Sequence, residues 1–60
     1  MPKEYLIEFY AVGNSVKVTA IDPDTGAEAS IVGAPRTPRK QLSDLAVRKL
    51  KYVMKKKGKS

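Results

Sequence analysis

The sequence predicts an α+β fold: a three-stranded antiparallel β-meander with one C-terminal helix packed on one face, in the order β-β-β-α. Three observations carry it. Two early segments alternate apolar with polar residues, and a third short apolar run follows them. Two turn signals, Gly13-Asn14 and Asp22-Pro23-Asp24-Thr25-Gly26, separate these runs. After Arg36 the apolar period changes from that of a strand to that of a helix. The chain is read as a single small domain over 1–60, with strands at about 4–12, 15–22 and 27–33, a helix at about 37–57 and a frayed tail at 58–60.

In the first strand Tyr5, Ile7, Phe9 and Ala11 share one side, and Leu6, Glu8, Tyr10 and Val12 the other. Gly13-Asn14 is a Gly-first, two-residue loop, which favours a type II′ hairpin. That loop pairs Val12 with Ser15, Phe9 with Val18 and Ile7 with Ala20. In the next turn Pro23 suits the first central position, and Gly26 supplies a left-handed residue. Pairing Asp22 with Ala27 then sets Ala20 against Ala29, Val18 against Ile31 and Val16 against Gly33. Both turns place the same residues on one core face. Agreement between independent local signals is what a foldable sequence shows.

Leu42, Leu45, Ala46, Leu50 and Val53 recur at steps of three and four, giving one apolar helix stripe. Val47 and Met54 widen one flank, and Tyr52 the other. Thr37 is the expected N-cap and Pro38 the first helical residue, where its missing N–H costs nothing. Lys55, Lys56 and Lys57 suit the negative end of the helix dipole, and Gly58 supplies a stop. Lys49 falls inside the apolar arc and is expected to lay its stem along the core with its ammonium in water.

A chain of 60 residues buries only about 60% of its unfolded surface, so its core is marginal without a supplement. With no cysteine and no histidine it has neither a disulfide nor the usual zinc ligands. Self-association is the supplement that remains. Glu4 and Glu8 interrupt the N-terminal apolar run, which therefore does not read as a signal peptide. No run approaches the roughly 20 apolar residues of a membrane helix, so a cytoplasmic protein without membrane contact is expected.

Signals for enzyme chemistry are weak. Histidine and cysteine are absent, and no glycine-rich phosphate loop occurs. Asp22, Asp24 and Glu28 cluster about a turn but miss the spacing of a calcium loop. So short a chain also struggles to enclose a substrate pocket. The expectation is a non-enzyme with no cofactor, no metal and no small-molecule ligand.

Two surfaces remain as candidates. The sheet face turned from the helix carries Leu6, Tyr10, Val12, Ile21 and Val32 among polar residues, and is the candidate self-association face of a homodimer. Either edge strand could also pair with its symmetry mate. The second surface is basic. The net charge is +6, yet residues 1–35 hold two basic against five acidic residues, and 36–60 hold ten against one. Arg39, Lys40, Arg48, Lys51, Lys55 and Lys56 are the candidate nucleic-acid contacts, with Arg36 and Lys57 at the ends. The bland alternative is a solvated lysine face that keeps the protein soluble. The outer sheet face is a poor phosphate surface, since its only cation is Lys17, beside Glu8 and Glu28.

Gly13-Asn14, Val16-Lys17-Val18, Ala20-Ile21-Asp22 with Thr25-Gly26, Arg48-Lys49-Leu50 and Tyr52-Val53 together span most of the chain. In these pieces it resembles a family of short uncharacterised proteins from alphaproteobacteria. The resemblance implies a free-standing small bacterial protein and transfers no activity or site residue. Two functional readings stand: a non-enzymatic interaction module, homodimeric, and a weak, sequence-nonspecific nucleic-acid binder using the basic helix.

Overall fold

A computed structural model describes residues 4–58. Of the tail expected at 58–60, Gly58 belongs to the helix instead of stopping it, while Lys59, Ser60 and the side chain of Lys57 lie outside the described part. The elements are β1 (Leu6–Val12), β2 (Ser15–Ile21), β3 (Glu28–Gly33) and α1 (Arg39–Gly58). The strands form one antiparallel sheet in the order β1-β2-β3, and the fold is the β-β-β-α arrangement expected.

The register is the one that the turns dictate. Phe9 lies opposite Val18 and Val12 opposite Ser15, while Val18 faces Ile31 and Val16 faces Gly33. Gly13 has φ 56 with no positive φ at Asn14, which is the signature of type II′ rather than type I′. Gly26 has φ 78 and closes the second turn. There the Gly26 N–H donates to the Asp22 carbonyl at 2.8 Å, and the Asp22 N–H donates to the Ala27 carbonyl at 2.8 Å. The Asp22 carboxylate is fully buried and accepts the Asp24 N–H at Oδ1, 2.8 Å away. The strands are shorter than expected because these turn bonds take over at Asp22 and Ala27, and β1 begins at Leu6 rather than Glu4.

The start of the helix differs from expectation by one position. Its first backbone bond runs from the Leu42 N–H to the Pro38 carbonyl at 3.1 Å, so Pro38 is the cap and Thr37 precedes it. The Thr37 N–H is used instead in a turn, donating to the Ala34 carbonyl at 3.1 Å. Proline fits the cap for the reason given for the first helical position, since no donor is needed there.

Val18, Ala20 and Ala29 of the sheet and Leu42, Ala46 and Leu50 of the helix form the buried core. Fully burying a side chain such as Leu50 is worth about 1.5–3 kcal/mol. The helix lies over β2 and β3 rather than over all three strands. Its buried line is Leu42-Ala46-Leu50, with Val47 and Met54 packed beside it. Leu45, expected in the stripe, is 39% exposed, and Tyr52 is 63% exposed. The helix is therefore rolled toward Val47 and Met54.

Two contacts account for the roll. Gly33 faces Leu42, and a Cβ at Gly33 would collide with Leu42 Cδ2, so the absent side chain makes the seat for the leucine. On the other flank Lys49 Nζ donates to the Ser30 carbonyl at 2.7 Å. Its ammonium is thus bound to the sheet rather than left to water alone. No helix among the described residues is long and apolar enough to cross a membrane.

Candidate functional site

With the helix on one side, none of the described elements covers the outer side of the sheet. Leu6 (56%), Tyr10 (52%), Val12 (55%) and Val32 (68%) are all more than half exposed there. Ile21, the fifth candidate, is half-buried because it sits in the central strand between Leu6 and Glu28. Three of the four exposed residues belong to β1. Four of the polar groups between them are paired within the chain. Thr19 Oγ1 and Ser30 Oγ lie 2.8 Å apart, and the Tyr10 hydroxyl donates to Glu8 Oε1 at 3.2 Å. That bond, and then the Glu8 charge, hold the Tyr10 phenol above its ordinary pKa, with lesser contributions from desolvation and Glu28.

The two sheet edges are not equivalent. A two-residue hairpin closes on a hydrogen-bonded pair, here Val12 and Ser15, and the bonded pairs then alternate along the ladder. The backbone groups of Leu6, Glu8, Tyr10 and Val12 therefore point to β2, and those of Ile7, Phe9 and Ala11 point outward. By the same alternation, starting from the Asp22–Ala27 bond, Glu28, Ser30 and Val32 point their backbone groups outward from β3. The Lys49 ammonium covers one of those carbonyls, that of Ser30. The β3 edge is blunted.

A family model for a domain of unknown function, DUF6898, matches residues 2–57, which span the sheet and nearly all of the helix. The chain belongs to the DUF6898 family. No curated protein and no solved structure matches it. Membership in DUF6898 thus carries the fold's extent along the chain but assigns no activity to either surface.

The six basic candidates of this DUF6898 chain do not all lie on one side of the helix. Lys40, Arg48, Lys51 and Lys55 are exposed at steps that keep them on one side of α1, with Asp44 among them. Arg39 is drawn off toward the sheet, its guanidinium carbon 5.0 Å from the centre of the Phe9 ring. Lys56 stands over Tyr52 on another flank, at 5.8 Å. The partners of Lys49 and Arg39, Ser30 and Phe9, lie 19 or more positions away, which helical spacing does not reveal.

A recess of about 200 Å³ between β1 and the start of the DUF6898 helix is lined by Phe9, Val16, Pro35, Arg39 and Leu42. It is smaller than the roughly 300–1,000 Å³ of ordinary ligand pockets. The described residues contain no cluster of three or more carboxylate, cysteine or histidine side chains that could hold a metal.

Proposed function

We propose that this DUF6898 chain is a small non-enzymatic interaction module that works as a homodimer, joined through the open face or an edge strand of its sheet. The observation that supports it most is the concentration of exposed apolar side chains on one strand: Leu6, Tyr10 and Val12 of β1. Covering them supplies the apolar burial that so short a chain lacks. The reading also takes the protein to be cytoplasmic and alphaproteobacterial, from its composition and the family it resembles. Sedimentation equilibrium tests it: the expected mass is roughly twice the 6.6 kDa of one chain, and Leu6→Glu reduces it. A strict monomer at high micromolar concentration overturns the reading.

A second reading rests on a different observation. Lys40, Arg48, Lys51 and Lys55 line the exposed side of the helix, away from Glu8 and Glu28 on the outer sheet face. Such a stripe suits weak, sequence-nonspecific binding of phosphate backbones. Binding to short DNA or RNA should weaken with salt, and each lost phosphate contact lowers the log–log slope by about 0.7–0.9. Lys51→Glu with Lys55→Glu should therefore flatten it. No binding at low salt removes this reading.

A further inference from the structure

We propose that two copies of the chain pair antiparallel along their β1 edges, in the register that sets Phe9 opposite Phe9 of the second copy. The inference rests on the homodimer reading and names the strand, the edge and the register through which it is made.

The choice of edge follows from the ladder. Ile7, Phe9 and Ala11 turn their backbone N–H and C=O groups out from β1, whereas the matching row on β3 is crossed by Lys49 at Ser30. An edge of this kind, left open by the described residues, is a template for another strand. The second copy suits it because β1 is complementary to itself. The strand has seven residues, Leu6–Val12, and Phe9 is its midpoint. A twofold axis there pairs the whole strand and joins each outward N–H of Ile7, Phe9 and Ala11 to an outward carbonyl.

The side chains agree with that register. On the outer face Leu6 meets Val12 of the second copy, and Tyr10 meets Glu8. The Tyr10–Glu8 hydrogen bond seen within one chain is then available between chains. On the helix side Ile7 meets Ala11, and Phe9 meets Phe9. Ile7 and Phe9 are only half-buried in one copy because the helix sits over β2 and β3. Neighbouring registers are worse. Moving the axis to Glu8 sets two carboxylates face to face, and moving it to Tyr10 leaves Leu6 without a partner inside the strand. Each copy carries +6, so pairing should tighten as salt is raised, opposite to phosphate binding.

The experiment uses the full chain, Ala11→Pro and Val32→Glu, with sedimentation and residue-resolved amide exchange over a concentration series. Proline at position 11 removes an outward N–H and leaves the bonds to β2 intact, so the fold should persist. Val32 lies on the candidate self-association face but on β3, away from the β1 edge, so its substitution separates association through that face from pairing along the edge. The expected result is a dimeric wild type and Val32→Glu, a monomeric Ala11→Pro, and exchange at Ile7, Phe9 and Ala11 slowed about tenfold once nine-tenths of the chain is dimeric. Glu28, Ser30 and Val32 amides should not slow. A dimer that survives Ala11→Pro but is lost in Val32→Glu, or that protects the β3 amides instead, overturns the β1 pairing and leaves the homodimer reading standing. A wild-type monomer overturns both. If Ala11→Pro fails to fold, the exchange pattern of the wild type decides alone.

Discussion

Leu42 occupies the space that a side chain at Gly33 would need. The glycine is not there for a turn, since its φ is ordinary; it is there for the helix. Gly33→Ala should destabilise the fold by about 1–3 kcal/mol, the usual cost of overpacking a core. Leu42→Ala alone should cost about 2–5 kcal/mol. Because the two residues contend for one space, the double variant should lose less than the sum, and a urea double-mutant cycle reads the difference.

Asp22 supplies the second turn with its side-chain anchor. Asp22→Ala removes the acceptor of the Asp24 N–H at a fully buried position, and should cost about 1–3 kcal/mol in thermal or urea unfolding. Asp22→Asn keeps an oxygen at the same reach. Its loss should be clearly smaller.

Arg39 over Phe9 ties the first helical residue to β1, the strand that the helix otherwise leaves thinly covered. Arg39→Ala should lower stability by about 0.5–1 kcal/mol, and Arg39→Lys should recover part of it. No loss in Arg39→Ala would show that the contact contributes nothing, and no recovery in Arg39→Lys that it depends on the guanidinium plane.

Tyr10 gives a pH-dependent readout of the outer sheet face. Its phenol should ionise above the ordinary 10.0 because it donates to Glu8 and lies in the Glu8 field. The folded chain holds this proton more tightly than the unfolded chain. The associated stabilisation is therefore fully present below pH 10.0 and is lost as pH rises through the raised value. Glu8→Gln should bring the Tyr10 titration down, as followed by the ring resonances in NMR.

The sheet was legible in the sequence because turn chemistry is local. Gly13-Asn14 and Asp22 to Gly26 each determine a register within a few residues, and every core pair follows from them. The rotation of the helix was not legible. Periodicity ranks positions by apolar character, and by that measure Leu45 equals Leu42. What separates them is the missing Cβ of Gly33 and the Ser30 carbonyl that receives Lys49, both distant in sequence. The bare side of the sheet was readable from alternation alone at Leu6, Tyr10, Val12 and Val32. Ile21 fell short because a central strand is shielded from both sides.

The Lys49–Ser30 bond bears on how far any assembly of this chain can grow. A sheet with two receptive edges can recruit copies indefinitely and end as a fibre. In the proposed β1 pairing both outer edges of the joined sheet are β3, and an ammonium on the Ser30 carbonyl hinders a further strand from adding there. Lys49 is in this sense a chain stopper, and Lys49→Met is the substitution most apt to convert a bounded complex into a filament.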